Sequence, residues 1–230
     1  LKKKQKGLPK ESKNWKRASD LYIFFGDGMK WTELAAEKTL QKTAENLGKN
    51  GIEVFIAVNG EDAKKKVFEL IPEGAEVMNN SSATLDAIGV SKEITDSGRY
   101  VSVRKKIINM NDEKQRHEFR RMSATADYDV GSVHAVTEDG QLLIASNTGS
   151  QLSPISSSAA HVILVVGTQK IVKNLDQALK RIEEHSLPLE SERLKKIYGI
   201  PSNISKILII NRESIPNRMK LIFVKEKLGF

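Results

Sequence analysis

The chain predicts a three-layer α/β domain, a parallel sheet with helices on its faces, and three features of the sequence carry that prediction. Residues 52–58 and 162–166 are short, near-continuous apolar runs rich in Ile and Val, the composition of strands buried on both faces. The segments between such runs carry apolar residues at helical spacing and end in glycine. From 52 to 88 the two kinds alternate, which places helical crossovers between parallel strands.

In chain order, Leu34, Ala35, Lys38, Thr39, Lys42 and Leu47 surround a helix ending at Gly48, where a left-handed residue satisfies the last carbonyls. A strand follows at 52–58, then a helix at 61–70, a strand at 75–78 and a short helix at 83–88 closed by Gly89. Residues 99–110 read as a connection with some extended structure, and 112–126 as a highly charged helix. Extended runs follow at 131–136 and 141–145, joined by Asp139-Gly140, a strong hairpin signal. A buried strand at 162–166, a helix at 174–184 and strands at 206–210 and 220–224 complete the order.

Composition narrows the possible functions. A length of 230 residues suits one large domain, or one domain with a short appendage. No run approaches the roughly 18 apolar residues a bilayer demands, and the basic N-terminus lacks a signal-peptide apolar core, so a cytoplasmic protein without a membrane span is expected. Cysteine is absent, which excludes disulfides and thiolate-ligated zinc or iron–sulfur centres on this chain. The four histidines are scattered without an i,i+4 pair, so no metal site is expected. The net charge is +8, but residues 1–28 hold eight Lys/Arg against three Asp/Glu. That segment is read as a basic N-terminal extension that need not belong to the native gene product, and 29–230 as the domain proper. Without a basic or aromatic series in the body, nucleic acid is not the expected partner.

The most informative stretch is 131–151, GSVHAVTEDGQLLIASNTGSQ. Packing does not require the small and amide side chains Asn147, Thr148, Gly149, Ser150 and Gln151 after a β-rich run; a loop that brings N–H groups and hydroxyls to a ligand does. A second candidate is Asn79-Asn80-Ser81-Ser82-Ala83-Thr84 between a strand and a helix. There Ser81 or Ser82 can cap the helix, and free N–H groups and the Thr84 hydroxyl can meet an anion. Glu138 is a possible general base or nucleophile, with an exposed turn residue as the competing reading. Arg181 and Arg193 could each clamp a carboxylate or phosphate, surface salt bridging being the simpler alternative. His134 and His161 are the only histidines placed to join a site, a satisfied structural histidine being the simpler reading for each.

Taken together, VHAVTEDGQLLIASNTGSQL, HVILVVGTQKIVKNLDQALKRI, SLPLESER and LIFVKEKLGF resemble the LUD-domain family, the lactate-utilisation proteins, over about residues 29–230. The resemblance implies a Rossmann-like α/β/α sandwich of the ribose-5-phosphate isomerase, glucosamine-6-phosphate deaminase and CoA-transferase superfamily. It implies ligands at loops beyond the carboxyl ends of the parallel strands, which would bring 79–84, 138–140 and 146–151 together. His134 stands where the family's pattern favours Asn. Members serve oxidation of L-lactate alongside iron–sulfur proteins; this cysteine-free chain resembles a subunit without its own cofactor, any iron–sulfur clusters lying on partner subunits. The expected function is thus binding of a small anionic metabolite in hydroxy-acid metabolism. The alternatives are an isomerase- or acyl/CoA-transferase-like enzyme using Glu138, and an assembly or nucleic-acid-binding protein using the basic tail.

Overall fold

The computed structural model describes residues 31–108 and 113–230; the basic segment 1–28 lies outside them. Helix α1 (Glu37–Lys49) leads into β1 (Glu53–Ala57), α2 (Gly60–Glu69) and β2 (Glu76–Asn79). Next come α3 (Ala83–Ala87), α4 (Val90–Asp96), β3 (Val101–Ser102), α5 (Val103–Ile108), α6 (Glu113–Thr125) and β4 (Tyr128–Gly131). Strands β5 (Ala135–Thr137), β6 (Leu142–Ser146), β7 (His161–Gly167) and β8 (Ile171–Val172) precede α7 (Leu175–Arg181) and α8 (Leu187–Tyr198), and β9 (Lys206–Ile210) and β10 (Met219–Val224) end the order.

Six strands form one parallel sheet in the order β1-β10-β7-β4-β2-β3. Its centre is β7, whose residues from Val162 to Val166 are at most 1% exposed, as the continuous apolar run requires. One face carries Ile163, Val165, Ile222 and Val224 against Ala63 and Val67 of α2, Leu85 of α3, and Val90 and Ile94 of α4. The opposite face carries Val162, Leu164, Val166, Leu221 and Phe223 against Leu40 and Leu47 of α1. Each fully buried Leu, Ile, Val or Phe contributes about 1.5–3 kcal/mol. The expected α/β/α sandwich therefore holds.

The layer containing α1 also holds a second sheet, in the order β8-β5-β6-β9. Val136, Leu142 and Ile144 face the large sheet, while Ala135, Leu143 and Ala145 face Ala178 of α7 and Ile182 just beyond it. The predicted hairpin joins β5 to β6, with Gly140 at φ +84°. A Cβ there would meet the backbone of Asn46 and Leu47 at 2.9 Å.

Three places differ from expectation. The run at 131–136 is two elements: the chain leaves the large sheet at Gly131 and enters the small one at Ala135. Gly89, at φ +71°, closes α3 as expected, but a second helix, α4, follows at once, its Val90 and Ile94 buried one turn apart. The helix expected at 174–184 runs on past its expected end. A π-helical turn, Ile182–Ser186, carries α7 into α8, with Pro188 in the first turn of α8.

Candidate functional site

Strands β2, β4 and β7 end side by side, so the segments leaving them meet at one edge of the sheet, the place where α/β folds bind ligands. A cleft of about 440 Å³ opens there, between this edge, the 146–151 loop and the start of α8. Of the residues expected from sequence, Asn80, Ser81, Ser82, Thr84, Asn147, Thr148, Ser150 and Gln151 all line it. Gly149 does not line the cleft. Its φ of +85° turns the loop, and its N–H donates to Ser146 Oγ at 2.9 Å.

Glu138 lies elsewhere. It sits in the β5–β6 turn, where its carboxylate pairs with Lys42 of α1 at 3.0 Å and its carbonyl accepts from Asn46 Nδ2 at 2.8 Å. It fastens the hairpin to α1 and is not among the cleft residues, so the three loops expected to converge are two. The helix after Asn80-Ser81-Ser82 is short and capped, as expected. Ser82 Oγ accepts from Leu85 N at 3.4 Å, as a cap should, but α3 has five residues, too few for a developed dipole.

The cleft is built around a residue the sequence reading missed. Lys170, 2% exposed, ends a single 3₁₀ turn, Thr168–Lys170, at the carboxyl end of β7. Its Nζ donates to Thr84 Oγ1 at 3.0 Å, Ser132 Oγ at 3.2 Å and the Val133 carbonyl at 3.1 Å. All three acceptors are neutral. Burial, helped by the nearby Arg181 charge, pushes the ammonium down to about 7. Thr84 is held in turn by the Leu228 carbonyl at 3.3 Å, and Gln169 Nε2 donates to the same carbonyl at 2.9 Å. The available signal was position: a lysine just past the end of the most apolar strand.

Two further buried groups shape the electrostatics. His134 Nδ1 accepts from Ala145 N at 3.2 Å, which fixes the proton on Nε2 of a neutral ring. Burial and the charges of Lys170 and Arg181 hold its pKa down near 3. Behind it Arg181, 0% exposed, donates to the His134 carbonyl and to Ser186 Oγ; the surface salt bridge expected of it is replaced by a structural clamp between His134 and the π-helical turn before α8. His161 is not a cleft residue; it stacks on Tyr128, ring centroids 4.5 Å apart.

Asp129, on β4, is fully buried and accepts from Asn80 Nδ2 at 2.9 and 3.2 Å. Burial raises its pKa to about 8 against the opposing effects of Asn80 and Arg218. Gly131 makes room for this pair, since a Cβ would stand 3.1 Å from Asn80 Nδ2. At the rim, Arg104 reaches the Asn79 carbonyl at 3.4 Å. Arg193 forms a two-pronged bond to Glu190 and donates to Ser81 Oγ at 3.0 Å. Lys170, Arg104 and Arg193 thus stand against one acidic side chain, Glu190, in the lining. The cleft suits an anion with hydroxyl or carbonyl oxygens.

A sequence model of the LUD domain matches residues 40–224, which takes in every strand of both sheets. The chain belongs to the LUD domain family. A crystal structure of a DUF162 family protein from Deinococcus radiodurans, DUF162 being the same family, superposes with a TM-score of 0.53. It is 12% identical, and the superposition covers 84% of this chain and 99% of that one; at that identity the likeness concerns the fold. A crystal structure of eIF2B beta from Chaetomium thermophilum matches with a TM-score of 0.33 and 13% identity over 52% of this chain and 41% of that one, a likeness too slight to bear on fold or function. No curated protein matches this LUD domain. Family membership supports a role associated with lactate utilisation. Among the described residues no helix is long and apolar enough to cross a membrane.

Proposed function

We propose that this LUD-domain protein binds a small carboxylate metabolite, a 2-hydroxy acid or the matching 2-oxo acid, in the Lys170 cleft, as part of lactate-related metabolism in the cytoplasm. The observation that carries the reading is Lys170 itself. A buried ammonium whose partners are Thr84 Oγ1, Ser132 Oγ and a backbone carbonyl has no carboxylate to offset its desolvation, and an anionic ligand would supply one. The Thr148 and Ser150 hydroxyls, 3.1 Å apart in the same lining, can bond the ligand's oxygens. Oxidising a hydroxy acid releases two electrons, and a chain without cysteine cannot hold a thiolate-ligated cluster. Iron–sulfur subunits therefore remain the proposed partners.

The test is thermal unfolding with lactate, pyruvate, sugar phosphates and CoA esters, repeated with Thr84→Val and Thr148→Ala. A ligand at about 100 times its Kd stabilises by about 2.7 kcal/mol, a Tm rise of roughly 5–10 °C for a domain of this size. The rise should appear with hydroxy or oxo acids and shrink in both variants. No shift with any of these compounds would sink the proposal.

A further inference from the structure

Resting on that reading of the cleft, we infer that Lys170 is a covalent site for 2-oxo acids: its Nζ condenses with the ligand's carbonyl carbon to give a protonated imine. The geometry is that of an amine kept out of ion pairs. The buried or half-buried carboxylates in or beside the cleft lining are bonded elsewhere, Asp129 to Asn80 and Glu190 to Arg193. Among the described residues no carboxylate side chain pairs with Nζ to hold it as an ammonium. Burial brings it to about 7, so a large share is the free amine near neutral pH, the state that attacks carbonyls.

The neighbours suit the proton movements. The amine lone pair forms the C–N bond while the carbonyl oxygen takes a proton, giving a carbinolamine. The nitrogen then gives up a further proton, the C–O bond breaks and water leaves. Counted from the ammonium, two of its three protons depart with the oxygen and one stays on the imine nitrogen. Thr84 and Ser132, 3.0 and 3.2 Å from Nζ and 3.3 Å from each other, can relay the departing protons. The Val133 carbonyl at 3.1 Å can accept from the one that remains. Arg104 and Arg193 line the same cleft and favour a carbonyl compound that carries a carboxylate. A hydroxy acid would occupy the cleft without reacting, because it has no carbonyl.

The experiment is reductive trapping. The full chain is incubated with pyruvate and sodium cyanoborohydride, its mass measured and its peptides mapped, with thermal unfolding in pyruvate and in lactate run in parallel. The expected result is one N-carboxyethyl group per chain, on Lys170, suppressed by excess lactate, slowed in Thr84→Val and lost in Lys170→Met. Mapping on the unmodified sequence keeps the test decisive even if Lys170→Met does not fold. If pyruvate and lactate both raise Tm and Lys170 carries no adduct, the covalent role is overturned while the anion cleft stands. If neither raises Tm and no adduct forms, both fall. Adducts scattered over other lysines with Lys170 unmodified also overturn the covalent role.

Discussion

Replacing Lys170 by Met should flatten the alkaline stability profile of this protein. The unfolded chain keeps the lysine proton up to about pH 10.5 and the folded chain releases it at about 7. Between those values the unfolded state binds one more proton, so folding stability rises with pH, by about 1.4 kcal/mol per unit from this group alone. Below about 7 both states are charged and the slope vanishes. The absolute effect of the substitution mixes two costs. It removes an ammonium that is expensive to bury, and it leaves the Val133 carbonyl without its Lys170 donor. The second cost is independent of pH, so it cancels in the difference between two pH values. Urea unfolding of both proteins at about pH 7.5 and 9.5 should therefore show the natural sequence gaining about 2–3 kcal/mol relative to Lys170→Met. A stability difference that stays constant across that range would refute the buried, lowered lysine, and with it the electrostatic basis of the cleft.

Asp129→Asn should act on the other side of neutrality: its carboxyl is raised to about 8, so the natural sequence loses stability as pH climbs from about 4 to 8 and the variant, in urea unfolding, lacks that decline. Arg218→Met strips bonds to Glu213 and to the Ala159, Pro154 and Ile155 carbonyls, all within 3.0 Å. It leaves Glu213, 8% exposed, as a buried unpaired charge. The expected cost is about 3–5 kcal/mol, a Tm drop of roughly 6–20 °C, partly restored by Glu213→Gln; a drop below about 2 °C would contradict it. Glu138→Gln breaks a largely exposed pair with Lys42, so calorimetry should find a cost under about 1 kcal/mol and an unchanged ligand-induced shift. A lost shift would put Glu138 back in the site.

The parts of the fold that could be read from sequence are those where one local rule is enough. Continuous apolar runs revealed β1 and β7, and Asn59, Ser82 and Asn174 cap their helices as such residues do. Strand β4 was hidden because Asp129 interrupts its apolar run, and that carboxyl is tolerated there only through Asn80, far away in sequence. Gly89 did close its helix, but no local rule showed that α4 starts directly after it, or that a π-helical turn carries the helix begun at Leu175 past 184. Polar loops announced much of the cleft, since small hydroxyl and amide residues have little packing value. Lys170 announced nothing, because whether a lysine after a strand points to water or to Thr84 is decided by tertiary structure.

The pairing of β1 with β10 brings Glu53 beside Lys220 and Ala57 beside Val224, joining opposite ends of the described chain inside one sheet. β1 has no other strand partner in that sheet. The loop that must close before this ladder can form spans most of the domain, and such non-local pairings slow folding. Until β10 is seated between β1 and β7, α1, β1 and α2 have no sheet to pack on, and their apolar faces stay open to misassembly. The protein should therefore fold slowly, with its first elements among the last to become protected from hydrogen exchange.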